Sequence, residues 1–199
     1  PHEGVDAIAL AAQGIVAAQQ TVSRRLSPME NGVVTFGQVE GGPAPNVVAD
    51  RVILLGTARY FSDDVRRRLH DGIRAAFQGL HAQGCSTRVE IKPGYPPLIN
   101  EPVVTEAVRT VAREVAGDDD VWEAEPMMGA EDFAILAREA PGAFVWLGAA
   151  LPDAREHHHP KFDIDESVLP LAAALLARCG SALLELKAPP EGGPGPESA

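Results

Sequence analysis

Val52-Ile53-Leu54-Leu55-Gly56-Thr57-Ala58-Arg59-Tyr60-Phe61-Ser62-Asp63-Asp64 contains the change of hydrophobic period on which the fold turns. Four consecutive apolar residues within 47–60 predict a strand apolar on both faces, ending near Arg59. Beyond Ser62 the period lengthens. Val65, Leu69, Ile73, Ala76 and Leu80 recur at helical spacing, which predicts a helix to about Gln83. Ser62 is its expected N-cap, and Asp63 and Asp64 stand in the first turn, where carboxylates oppose the helix dipole.

Upstream, Gly41 to Pro45 breaks an earlier strand predicted over Val33 to Val39. Met29-Glu30-Asn31-Gly32 is turn chemistry. Val5, Ile8, Ala12, Ile15 and Val22 make residues 4–22 an amphipathic helix. Downstream, Arg88 to Lys92 alternates charged with apolar residues, the pattern of a half-buried strand. The order is α-β-β-α-β. One more strand before residue 1 would complete a split βαβ, or ferredoxin-like, unit.

Pro93-Gly94-Tyr95-Pro96-Pro97 reads as a linker. It separates a first domain, 1–95, from a second, 96–187, and the class is α/β (α+β). Asn100 is the expected cap of a helix carrying Val104, Val108, Val111 and Val115, with Gly117 as its stop. A short strand is expected at Val121-Trp122, a helix over Glu131 to Ala140, a buried strand at Ala143 to Leu147, and a long helix from Glu166 to Leu186. Pro170 falls near the start of that helix, where amide donors lack helical partners. Residues 188–199, mostly Pro, Gly, Glu and Ser, read as a disordered tail.

At 199 residues, with 45% hydrophobic and 23% charged content, the composition is that of a globular protein. A net charge of −11 argues against nucleic acid and anionic membrane surfaces as partners. No apolar run approaches a membrane span in length, and no signal peptide is expected. Cys85 and Cys179 imply no disulfide framework, so a reducing, cytoplasmic setting is expected. Beginning at Pro1 in what reads as mid-motif, the chain is expected to be a truncated or processed product.

Chemistry concentrates in Glu156-His157-His158-His159-Pro160-Lys161-Phe162-Asp163-Ile164-Asp165-Glu166. Imidazole is the commonest metal ligand, and a proline-stiffened loop feeding a helix can hold one still. On residue types alone a solvated, tag-like surface cluster is the favoured reading, because a metal site needs three or four ligands and this is one cluster. There is no HExxH and no CxxC pair.

This loop resembles the closing metal motif of the dizinc amidohydrolases of the aminoacylase and carboxypeptidase type, in the branch of hippurate hydrolase and the auxin-conjugate amidohydrolases. Four further stretches resemble that family's motifs in order. They are Pro1-His2-Glu3-Gly4-Val5-Asp6-Ala7-Ile8, Gly41-Gly42-Pro43-Ala44-Pro45-Asn46-Val47-Val48, Gly56-Thr57-Ala58-Arg59, and Met128-Gly129-Ala130-Glu131-Asp132-Phe133.

The resemblance covers residues 1 to about 186. It implies a lid and dimerisation domain lacking its first strand, followed by the C-terminal part of an α/β zinc-peptidase-like catalytic domain. It implies that His158 is a zinc ligand. Asn46 and Arg59 would grip the carboxylate end of the substrate, the Asn acting on a partner subunit's site, and Gly129 and Glu131 would line the cleft. The complete enzyme would use two divalent ions, zinc, with manganese or cobalt possible, to hydrolyse an N-acyl amino acid. Its catalytic base and other ligands would lie outside this chain, leaving the chain alone inactive, and the lid would form a homodimer. The alternative is a non-catalytic dimerising module that binds a small carboxylate.

Overall fold

The computed structural model describes residues 1–186. Two compact units emerge: Pro1–Leu98 with Met127–Ile135, and Ile99–Pro126 with the chain from Leu136 onward.

The first unit is a two-stranded sheet backed by two helices. Helix α1, Ala7–Gln20, starts where Asp6 Oδ1 accepts the amides of Ile8 and Ala9 at 2.9 and 3.1 Å. It runs into a π-helical turn, Thr21–Arg25. Strands β1 (Gly32–Gly41) and β2 (Val52–Tyr60) pair antiparallel, from Gly32↔Tyr60 at one end to Gly41↔Val52 at the other, with a bulge between Phe36 and Gln38. Helix α2, Asp63–Gln78, is capped by Ser62, whose Oγ accepts the Val65 amide at 3.2 Å. A 3₁₀ turn, Gly79–Gln83, follows and ends at Gly84, φ 88°. The helix bounds expected from periodicity therefore hold to within a few residues.

The core lies between the sheet and the helices. Leu26, Val34, Val65 and Leu69 are buried, and Val22, Phe36, Ala58, Tyr60 and Ile73 pack around them. Burying a leucine fully, as at Leu69, contributes about 1.5–3 kcal/mol. Two close approaches require glycine: a Cβ at Gly72 in α2 would meet Thr21 of the π-helical turn, and one at Gly56 in β2 would meet the Thr35 carbonyl of β1. Arg68 locks α2 to the turn before β1, with Nη1 donating to Glu30 Oε2 at 2.9 Å, Nη2 to Glu30 Oε1, and Asp64 alongside. The opposite sheet face, with Val33, Ile53, Leu55 and Arg59, is exposed.

The strand expected at Arg88 to Lys92 is not formed. The alternation itself survives: Cys85, Thr87, Val89 and Ile91 are half-buried, while Ser86, Arg88, Glu90 and Lys92 are exposed. A strand also needs a neighbouring backbone, and the sheet among the described residues holds β1 and β2 alone. Instead the segment is tethered at one end, where Thr87 donates its amide to His81 Nε2 at 3.1 Å and its hydroxyl to the Phe77 carbonyl at 3.3 Å.

In the second unit, α3 (Pro102–Ala116) and α5 (Leu169–Glu185) pack through Val108, Val111 and Cys179, with Val104, Val115, Ala143, Leu175 and Ala182 around them. Gly117, at φ 106°, ends α3 as expected. The cap is different. Pro102 occupies the first turn, and the residue before it, Glu101, is extended, so its Oε2 accepts the Val104 amide at 2.7 Å. Asn100 instead clamps a distant stretch of backbone, its side-chain amide donating to the Phe144 carbonyl at 2.9 Å and accepting the Phe144 amide at 2.8 Å.

That pair of bonds is the ladder contact the expected strand at Ala143 to Leu147 obtains from a side chain, and no strand forms there. Nor is that stretch buried, since Val145 is 48% and Trp146 60% exposed. Val121-Trp122 is likewise not a strand, and Trp122 is 76% exposed. A short helix, α4 (Phe133–Glu139), lies within the helix expected over 131–140. The apolar-run reading also needs correcting. The helical stretch Glu166–Glu185, 20 residues with hydropathy 1.7, is long and apolar enough by length and composition to cross a membrane. Scattered Arg, Gly and Ser residues hide this from a search for unbroken apolar runs. The expected tail at 188–199 lies outside the described residues.

Candidate functional site

Arg59 stands at the end of β2, exposed on the open sheet face. Its Nη1 donates to the Met128 carbonyl at 2.8 Å, a bond across 69 positions of sequence but inside the first unit. Two of the stretches singled out in the sequence, Gly56–Arg59 and Met128–Phe133, thus meet. Met128 itself was not a candidate. Nothing in a side chain's identity announces that its backbone carbonyl will be used, so sequence offered no signal.

The Met128 loop is shaped by its own acid. Glu131, half-buried, accepts the Phe133 amide on Oε1 at 3.0 Å, and the Ile135 amide reaches the Asp132 carbonyl at 2.9 Å as α4 begins. Glu131 is therefore partly occupied in starting the helix. Gly129 is exposed, and a Cβ there would meet nothing within 4 Å. An open glycine lets a ligand approach the backbone.

Asn46 is exposed in the 42–51 connection, which joins the strands at the Gly41↔Val52 end. Arg59 is seven residues further along β2, about 23 Å at 3.3 Å per residue. The connection is held at its own end, where the Ala7 amide at the start of α1 donates to the Ala49 carbonyl at 3.1 Å. Asn46 and Arg59 are thus at opposite ends of one hairpin. A joint grip on one carboxylate by a single copy is not what this hairpin presents.

In the second unit the three histidines have different fates. His157 packs edge-to-face on Phe162, ring centroids 5.3 Å apart. His159 Nδ1 accepts the Lys161 amide at 3.0 Å, and the Phe162 amide closes a turn onto the His159 carbonyl at 2.9 Å. Between them His158 has φ 70°, and no other described non-glycine residue has positive φ. L-residues enter that region at a cost of roughly 1–2 kcal/mol, and such conformations concentrate at functional sites. Its exposed imidazole has no recorded hydrogen bond among the described residues. Asp165 then caps the turn into α5; the Ser167 hydroxyl and amide hold its carboxyl below the usual aspartate range.

The donor set at His158 fits one ligand and no more. Among the described residues no three His, Cys, Asp or Glu side chains gather in a way that could hold a metal ion. A shallow hollow on α1, about 390 Å³ and lined by Ala12, Gln13, Val16, Ala17 and Gln20, includes no titratable group and none of these residues.

Residues 4–181 match the family described as Peptidase family M20/M25/M40. N-acetyl-L-cysteine deacetylase of Bacillus subtilis (strain 168) is 33% identical over 186 residues, 93% of this chain and 44% of that protein. IAA-amino acid hydrolase ILR1-like 4 of Arabidopsis thaliana is 33% identical over 197 residues, 94% of this chain and 45% of its own length. The crystal structure of Bacillus subtilis YXEP, described as a dinuclear metal binding peptidase from the M20 family, superposes with a TM-score of 0.71 at 29% identity, over 91% of this chain and 47% of that one. The chain spans about half the length of these relatives.

Proposed function

The chain belongs to peptidase family M20/M25/M40, and on that premise we propose that it is the lid and the C-terminal catalytic portion of a metal-dependent amidohydrolase acting on N-acyl amino acids. The observation that carries this reading is His158, an unengaged imidazole on a left-handed backbone between two histidines already in use. Two named relatives, a deacetylase of N-acetyl-L-cysteine and a hydrolase of IAA-amino acids, share an amide between an acyl group and an amino acid.

His158 would be one ligand of a pair of divalent ions, zinc first, manganese or cobalt next, with the remaining ligands and the catalytic base supplied from outside these residues. Bound metal supplies Lewis acidity at the scissile carbonyl. Arg59 captures the free α-carboxylate: one of its five donors holds Met128, and the rest of the planar fork is available. Gly129 leaves room for the ligand beside the Met128 loop, and Glu131 holds that loop's turn. Asn46, at the far end of the hairpin, serves the site of a partner copy in a lid-mediated homodimer. Segment 85–92, with its alternating burial, becomes a paired strand when a further strand from outside these residues joins the sheet, completing the split βαβ unit.

The test uses the complete enzyme carrying this chain. Arg59→Ala should lower kcat/KM for an N-acyl amino acid by about 10–100-fold, the loss of a charge-assisted contact of about 1.5–3 kcal/mol. On the corresponding methyl ester, wild type should already be poor and Arg59→Ala should cost markedly less than it does on the acid. Equal losses on acid and ester would overturn the carboxylate reading.

A further inference from the structure

We infer that Arg59 is a positioning residue as well as a carboxylate reader: its bond to the Met128 carbonyl latches the 127–135 segment to the end of β2. This rests on the reading of Arg59 and the Met128 loop as one site, and it concerns how that site is assembled before any ligand arrives.

Three observations support the latch. The bond is 2.8 Å long and charge-assisted, between a guanidinium and a neutral carbonyl. Arg59 has no second recorded bond to a protein group among the described residues, so Met128 sets the direction of the guanidinium. Within the segment the Phe133 amide donates to Glu131 Oε1, the Ala134 amide to the Glu131 carbonyl and the Ile135 amide to the Asp132 carbonyl. Those bonds shape the turn, and the Arg59 bond joins that turn to β2.

The latch and the carboxylate contact make different demands on the side chain. A carbonyl needs one donor, whereas bidentate capture of a carboxylate needs a planar fork. Lysine can meet the first demand and not the second. The two roles therefore separate in Arg59→Lys, while Arg59→Ala loses both.

Amide hydrogen exchange on the 199-residue chain reads the latch without substrate or turnover. In Arg59→Ala, peptides covering 127–135 should exchange about tenfold faster than wild type, the scale of one partly exposed charge-assisted hydrogen bond. In Arg59→Lys they should stay within about threefold of wild type, since one ammonium donor replaces one guanidinium donor. Peptides from α2 report whether the unit is folded. If Arg59→Ala accelerates α2 equally, Arg59→Lys becomes the deciding variant. Unchanged exchange over 127–135 in Arg59→Ala, or exchange in Arg59→Lys as fast as the alanine variant with α2 intact, would overturn the latch. The carboxylate reading fails separately, by equal kinetic losses on acid and ester, and either result can occur without the other.

Discussion

Replacing Gly72 with alanine sets two known effects against each other in the middle of α2. In an exposed helix interior, Gly→Ala stabilises by about 1 kcal/mol. At Gly72 the new Cβ would lie 2.8 Å from Thr21 Cβ, and closer still to its Oγ1 and Cγ2. Thr21 is 2% exposed in the π-helical turn, and a β-branched side chain has few rotamers with which to retreat. Overpacking of this kind costs roughly 1–3 kcal/mol and more where no rotamer yields. The clash should win, for a net destabilisation of about 1–2 kcal/mol. With a urea m-value of about 1–3 kcal/mol per molar, the midpoint should fall by roughly 0.5–1 M. Far-UV circular dichroism is the signal to follow, because both tryptophans, Trp122 and Trp146, belong to the other unit. In a Thr21→Ala background the penalty should shrink, and only in part, since Cβ remains. A Gly72→Ala midpoint at or above wild type, or a penalty indifferent to Thr21, would show that α1 and α2 do not approach as described.

Glu30→Gln tests the lock between α2 and the turn before β1. Hydrogen bonds from Arg68 and from the Ser27 amide hold the Glu30 carboxyl below the ordinary glutamate range. In that acidic window the unfolded chain binds the proton more readily than the folded one. Wild type should therefore lose stability as pH falls through the depressed value, and Glu30→Gln should lack that part of the decline; parallel denaturation midpoints across the acid range would refute the pair's role. His158→Ala in the complete enzyme should lower bound metal after dialysis by about one equivalent or more of the two, whereas the 199-residue chain alone should retain zinc substoichiometrically. Full metal content in the variant would remove His158 from the ligand set.

What the sequence determined by itself is everything set within a few residues. Ser62 carries a cap in its own side chain, Gly117 tolerates the φ of 106° that ends α3, and the 3.6-residue recurrence of Val65, Leu69 and Ile73 defines α2 without a partner. The candidate ligand and the candidate carboxylate reader were also nameable, because a His-His-His-Pro loop and a strand-end arginine in family order are local patterns. Tertiary structure decided whatever requires a second piece of backbone. Residues 85–92 and 143–147 have strand-like sequence and no ladder, because pairing depends on a neighbour that alternation cannot provide. Asn100 turned from cap to backbone clamp once Phe144 lay within reach. The bond from Arg59 to the Met128 carbonyl, the separation of Asn46 from Arg59 along the hairpin and the left-handed backbone of His158 exist only in three dimensions. The bond is made to an atom every residue possesses, the separation follows from strand length, and the dihedral is imposed by turns on either side, so none leaves a mark in residue type.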